Sequence, residues 1–191
     1  AATRSRGATP RRLSSILARV SADSPKLAGT SAVEVAADSD VQLALGVLIG
    51  GRYRVLSELG QGGMASVFRA ADTATHRELA IKRLSLRHNQ KGFGEAAALF
   101  EREYHTLVAL SHPGVVAVYD YGVDTLGPYY TMELLDGGDL KEKSPCDWRS
   151  ACALASEVCS ALALVHSRRL THGDVSPRNV RCTRDGHAKL I

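Results

Sequence analysis

The chain has 191 residues, a length that fits one domain, and 45% of them are apolar, enough for a packed core. A formal charge of +4, with no segment that interleaves basic and aromatic residues, argues against a nucleic-acid surface, and no nucleic-acid partner is expected. The most apolar run, Val41 to Gly50, has about half the length a membrane-spanning helix needs, so no membrane span is expected in this segment. Cys146, Cys152, Cys159 and Cys182 form no Cys-x-x-Cys pair, which points to reduced, buried thiols in the cytoplasm and away from disulfides or zinc.

In chain order, five arginines and no acidic residue fall within the first twenty positions, where Leu13, Ile16, Leu17 and Val20 take helical spacing. That pattern resembles a transit peptide, but the Ala- and Ser-rich composition reads better as a tail, and residues 1–50 are expected to be disordered or a linker. With no initiator Met, the chain is expected to start inside a longer one. The domain then begins near Tyr53. Strands are expected over Tyr53 to Leu59, Ser66 to Ala70 and Glu78 to Leu84, separated by a glycine turn and a polar turn. A helix follows from about Glu95 to Leu110, with Phe100, Glu103, Leu107 and Leu110 on one face. Two more strands, Val115 to Tyr121 and Tyr129 to Leu135, complete a five-stranded antiparallel sheet with one helix. Beyond Gly137-Gly138, the apolar series Ala151, Leu154, Ala155, Val158, Leu162 and Val165 marks a well-buried helix that starts a second lobe. Asp185-Gly186 signals a hairpin between Val180 to Thr183 and His187 to Ile191.

Several of these segments carry chemistry. Leu59-Gly60-Gln61-Gly62-Gly63-Met64-Ala65-Ser66-Val67 is a turn whose glycines let backbone N–H groups approach phosphate oxygens. It also satisfies a dinucleotide fingerprint, with Glu78 as the later acid, but that motif needs a helix directly after the glycines, where this chain has strand pattern. Lys82, in the third strand, shares a face with Ala80. Glu103 lies among apolar residues of the helix, and a carboxylate there needs a cation to offset desolvation; Lys82 is the main candidate, Arg102 or a solvated neighbour the other. Met132-Glu133-Leu134-Leu135-Asp136-Gly137-Gly138-Asp139 leaves a strand and offers backbone groups to a heterocycle and a carboxylate to a ribose. Leu59, Val67, Ala80 and Met132 serve equally well as sheet-core residues. In His172-Gly173-Asp174-Val175-Ser176-Pro177-Arg178-Asn179, the Asp and Asn are five apart, a spacing that lets one take a hydroxyl proton while the other holds a metal.

These motifs, in this order over residues 53–191, resemble a bacterial, eukaryotic-like serine/threonine protein kinase domain. The resemblance implies an α+β, bilobal kinase-like fold: a partial kinase domain over 51–191, with a complete N-lobe at 51–135 and the start of a helical C-lobe at 136–191. It implies ATP and Mg2+ as cofactors. Gly60, Gln61, Gly62 and Gly63 would cover the phosphates, Lys82 would bind them, and Glu103 would position that lysine. Leu59, Val67, Ala80 and Met132 would line the pocket, backbone groups of Glu133 and Leu135 would hold adenine, and Asp139 would sit near the ribose. Asp174 would take the hydroxyl proton and Asn179 would bind the magnesium.

Four positions depart from the family pattern. Gly173 replaces the arginine that often precedes the catalytic Asp, Ser176 replaces a lysine beside the transferred phosphate, Ala65 replaces the third glycine, and Arg181 stands where an apolar floor under adenine is usual. The chain is expected to stop just before an Asp-Phe-Gly motif, which leaves this stretch inactive by itself. The implied function is ATP-dependent transfer to Ser/Thr hydroxyls of a protein substrate of unknown identity, with the protein itself expected in the cytoplasm and its oligomeric state left open. The alternatives are a small-molecule phosphotransferase of the aminoglycoside or choline type, whose loop His172-Gly173-Asp174 also resembles, and a pseudokinase scaffold that binds nucleotide.

Overall fold

In a computed structural model, the described residues are 11–12, 45–62, 64–85 and 91–191. In chain order the elements are strands β1 (Arg11–Arg12), β2 (Leu48–Ile49), β3 (Tyr53–Gln61), β4 (Ala65–Asp72) and β5 (Glu78–Leu84), helix α1 (Phe93–Val108), strands β6 (Val118–Asp124) and β7 (Gly127–Met132), helix α2 (Trp148–Ser167), and strands β8 (Leu170–Thr171), β9 (Val180–Cys182) and β10 (Ala188–Leu190). Contacts divide the chain into two units, one on Arg19–Val108 and Ala117–Leu134, the other on Ala1–Ala18, Ala109–Val116 and Leu135–Ile191. The helical spacing read at Leu13 to Val20 lies outside the described residues, as does Gly63.

The first unit is an antiparallel sheet in the order β2-β3-β4-β5-β7-β6, with α1 packed on it. The α+β class matches the expectation, but the sheet has six strands, not five. The extra strand is β2, which pairs Leu48 with Arg54 and Ile49 with Tyr53. Two residues are too few to show alternation, so the signal was the Gly50-Gly51 turn, where φ is +57° and +69°. Along β4, half-buried and buried positions alternate throughout, as a strand covered more tightly on one face dictates. Its buried Phe68 and Ala70 join Ile49, Tyr53, Val55, Leu79, Ile81 and Tyr129 in one core cluster. Each fully buried Val, Leu, Ile or Phe side chain among them contributes roughly 1.5–3 kcal/mol. The Tyr129 ring needs glycine beside it, since a Cβ at Gly122 would lie 2.5 Å from its hydroxyl.

Helix α1 buries Phe93, Ala96, Phe100, Glu103 and Leu107, spaced by three and four, and thus presents one face to the sheet. It begins two residues earlier than its apolar pattern suggested, because Gly94 is accommodated in its first turn. Strand β6 starts at Val118, later than read, because Val115 instead bridges Leu190 of the second unit.

In the second unit, Asp147 caps α2 by accepting from the Arg149 and Ser150 N–H groups at 2.9 and 3.1 Å. By length and composition α2 is apolar enough to cross a membrane, a property the reading of Val41 to Gly50 overlooked. Ala161 and Val165 are buried, with β8 and β10 against the helix and Gly114 so close to Ala161 that a Cβ there would lie 3.1 Å from its Cβ. The helix is less buried than expected: Ala151 and Ala155 are exposed, and Leu154, Val158 and Leu162 half-buried, because these neighbours cover a single strip. Strands β9 and β10 form the expected hairpin, Val180 opposite Leu190 and Cys182 opposite Ala188. Within the stretch read as a tail, β1 pairs in parallel with β8, Arg11 opposite Leu170 and Arg12 opposite Thr171.

Candidate functional site

Lys82 and Glu103 meet. The Lys82 ammonium donates to Glu103 Oε1 at 2.6 Å, with the two side chains 10% and 3% exposed. Lys82 reaches α1 because β5 places it, by register, between Val67 on β4 and Tyr130 on β7, on the sheet face that α1 covers. Breaking a buried pair by removing one partner costs about 3–5 kcal/mol, since the other charge is left uncompensated. The local pairing of Glu103 with Arg102 is therefore not the one adopted. The sequence reading missed Tyr130, whose hydroxyl also donates to Glu103 Oε1 at 2.6 Å. Its signal was strand periodicity: Tyr130 lies two residues before Met132 and so shares its face.

The same register collects the apolar candidates. Val67 lies opposite Lys82, and Ala80 opposite Met132, so Val67, Ala80, Lys82 and Met132 share one face. Ala80 is buried, Val67 and Met132 are half-buried, and Leu59 is 46% exposed. Leu59 is the extra residue of a β-bulge, since Glu58 pairs with Phe68 and Gly60 with Val67. The glycine turn is the β3–β4 connection. Gln61 pairs with Ser66 beyond Gly60, and the Gly62 N–H donates to the Ala65 carbonyl at 2.8 Å. Glu133 is tied twice to Ala117: its N–H donates to the Ala117 carbonyl at 2.9 Å, and its Oε1 accepts from the Ala117 N–H at 2.7 Å.

The second unit holds the remaining candidates. Leu135 is buried, and its N–H donates to no group among the described residues, while its carbonyl accepts from Arg181 Nε at 3.4 Å. Arg181 thus sits in β9 with its guanidinium turned to that carbonyl, and the hairpin keeps its register. Asp139 caps a turn, its Oδ1 accepting from the Glu142 N–H at 2.8 Å.

Asp174 and Asn179 are joined by side chains: Asn179 Nδ2 donates to Asp174 Oδ2 at 2.8 Å and to the Asp174 carbonyl at 2.9 Å. The loop is closed further by the Asn179 N–H on the Ser176 carbonyl at 3.0 Å, and by the Ile191 N–H on the Asn179 carbonyl at 3.1 Å. With Nδ2 committed to Asp174, Asn179 Oδ1 is left as an acceptor, a hard oxygen suited to a divalent cation. His172 is buried beside them, with Nε2 3.2 Å from the Ile191 carbonyl. Desolvation lowers its pKa, so the neutral ring donates through Nε2 and leaves Nδ1 buried without a partner among the described residues. Gly173 has φ +77°, the left-handed region, which explains a glycine in this position.

The protein kinase domain family model matches residues 53–191. The serine/threonine-protein kinase PrkC of Bacillus subtilis is 34% identical over 152 residues, covering 78% of this chain and 23% of that protein. The probable serine/threonine-protein kinase PknB of Lactococcus lactis is 35% identical over 153 residues, covering 78% and 24%. The DNA damage-responsive serine/threonine-protein kinase RqkA of Deinococcus radiodurans is 38% identical over 159 residues, covering 78% and 23%. The chain thus spans about a quarter of the length of these relatives. A solved structure titled PpkA-294 apo form shares the fold at a TM-score of 0.70 and 22% identity, covering 80% of this chain and 61% of that one.

Proposed function

This chain belongs to the protein kinase domain family, and on that premise we propose that the protein transfers the γ-phosphate of ATP to serine or threonine hydroxyls of a protein substrate. The observation that carries the reading is the buried Lys82–Glu103 pair, which holds one ammonium at the sheet face shared by Val67, Ala80 and Met132. Lys82 would bind phosphate oxygens as a point charge, and Glu103 fixes where that charge sits. The turn from Gly60 to Gly63 would cover the phosphates, and the Leu135 N–H, which donates to no group among the described residues, would donate to adenine.

In the transfer, a bond forms between the acceptor hydroxyl oxygen and the γ-phosphorus while the bond to ADP breaks, and the hydroxyl proton passes to the Asp174 carboxylate. Asn179 Nδ2 holds that carboxylate in place through Oδ2. Magnesium, held by Asn179 Oδ1, would neutralise charge on the phosphate oxygens. Positioning supplies most of the rate in such a reaction, since the protein does little covalent chemistry. A cytoplasmic location is part of this reading; the thiols are free, but only Cys182 is buried as expected, while Cys146, Cys152 and Cys159 are exposed and suit a reducing compartment.

Neither the small-molecule phosphotransferase reading nor the scaffold reading is favoured, because the matching curated relatives are protein kinases. The test is phosphate incorporation into a basic protein substrate by the intact protein with Mg-ATP, beside Asp174→Asn. Label that disappears with the variant is expected, and equal label from both would reject the role of Asp174.

A further inference from the structure

Glu103 Oε1 accepts from two buried donors at once, the Lys82 ammonium and the Tyr130 hydroxyl, each at 2.6 Å. Lys82 and Tyr130 are directly opposed on β5 and β7, so both donors approach that oxygen from one face of the sheet. The Tyr130 ring is itself held by the helix. It is 1% exposed, its centroid lies 5.1 Å from that of Phe100 and 5.9 Å from that of Tyr104, both on α1, and Lys82 Nζ is 5.9 Å from it. Burial and the adjacent carboxylate raise the hydroxyl pKa well above its ordinary value, so this group remains a donor wherever the protein is folded.

We propose that Tyr130 is a positioning residue for nucleotide binding: its hydroxyl fixes the Glu103 carboxylate, and through it the Lys82 ammonium, and thereby holds α1 against the sheet before any nucleotide arrives. Displacing α1 would take Glu103 from both donors together and leave buried polar groups without their bonds. A phenylalanine would fill the same space and keep the ring contacts with Phe100 and Tyr104. The hydroxyl adds only the bond to Glu103, and that bond raises the penalty for an outward helix. The part of the proposal that concerns nucleotide rests on the reading of Lys82 as a phosphate ligand.

The test uses Tyr130→Phe in the intact protein with two readouts. In the first, Lys82 is acylated with an amine-reactive ester and followed by peptide mass spectrometry against the exposed Lys141 of the same chain. The variant is expected to react about 3- to 10-fold faster at Lys82 alone, the factor that corresponds to one net hydrogen bond. In the second, the Mg-ATP Kd is measured by calorimetry and is expected to rise by about the same factor, whereas adding Tyr130→Phe to Glu103→Leu changes nothing further. A purely structural tyrosine would weaken both backgrounds equally and speed acylation at the half-buried Lys143 and Lys189 as well. Unchanged acylation of Lys82, or equal effects in the two backgrounds, overturns the proposal. Faster acylation in a protein that binds no Mg-ATP upholds the positioning role and rejects the nucleotide reading instead.

Discussion

Asn179 holds both ends of Asp174, its Nδ2 lying 2.9 Å from the backbone carbonyl and 2.8 Å from Oδ2. One amide thus shapes the loop and aims the carboxylate. Asn179→Asp replaces that donor with a second carboxylate, and like charges this close cannot both stay ionised without penalty. The variant is expected to lose about 1–3 kcal/mol of stability, the cost of leaving a charged acceptor without its donor. Transfer should fall to the level of Asp174→Asn. Denaturant unfolding and phosphate incorporation check the two effects.

Two histidines should make the second unit respond to pH in opposite senses. Desolvation holds buried His172 below its ordinary 6.5, so as pH falls past 6.5 the unfolded chain takes up a proton that the folded one refuses, and stability drops. The hydrogen bond to Glu157 holds exposed His187 above 6.5, so its contribution is complete below 6.5 and is lost as pH rises through its folded value. Being at the surface, the His187 effect is small and should weaken with salt. Unfolding midpoints across about pH 5 to pH 8 should lose their acid slope in His172→Phe and their alkaline slope in His187→Asn. Unaltered slopes in both variants would contradict this assignment.

Gly173 stands where the resembling family often has arginine, and its φ of +77° makes the difference physical. An L residue there costs roughly 1–2 kcal/mol. Restoring the family residue with Gly173→Arg is therefore expected to lower stability by about that amount and to reduce transfer, because the strain is delivered next to Asp174. Equilibrium denaturation of the pair checks it, and an equally stable arginine variant would show that the backbone adjusts freely.

Much of this arrangement was legible in the chain because local rules and tertiary packing agreed. Alternation marks β4, a short apolar run bounded by polar turns marks β5, helical spacing placed Glu103 on the buried face of α1, and desolvation of that carboxylate called for Lys82. Other features were set by pairing that sequence does not display. Leu48 and Ile49 became a strand only through Tyr53 and Arg54. Val115, apolar enough to extend β6, was drawn instead to Leu190. Strand periodicity puts Tyr130 on the face of Met132, but nothing local announces that its hydroxyl ends on Glu103. Asp139, read as a ribose ligand, has one carboxylate oxygen engaged in capping a turn, a role that depends on Glu142 three residues later.

The most direct measurement of the phosphate role is a pair of calorimetric titrations, Mg-ATP and AMP, into the intact protein and its Lys82→Met variant. Lys82 as a ligand of the α- and β-phosphates keeps only one of those contacts on AMP, so Mg-ATP affinity should fall at least about tenfold and AMP affinity by clearly less, as expected for loss of charge-assisted contacts. Equal weakening of both nucleotides, or no weakening of either, would contradict it.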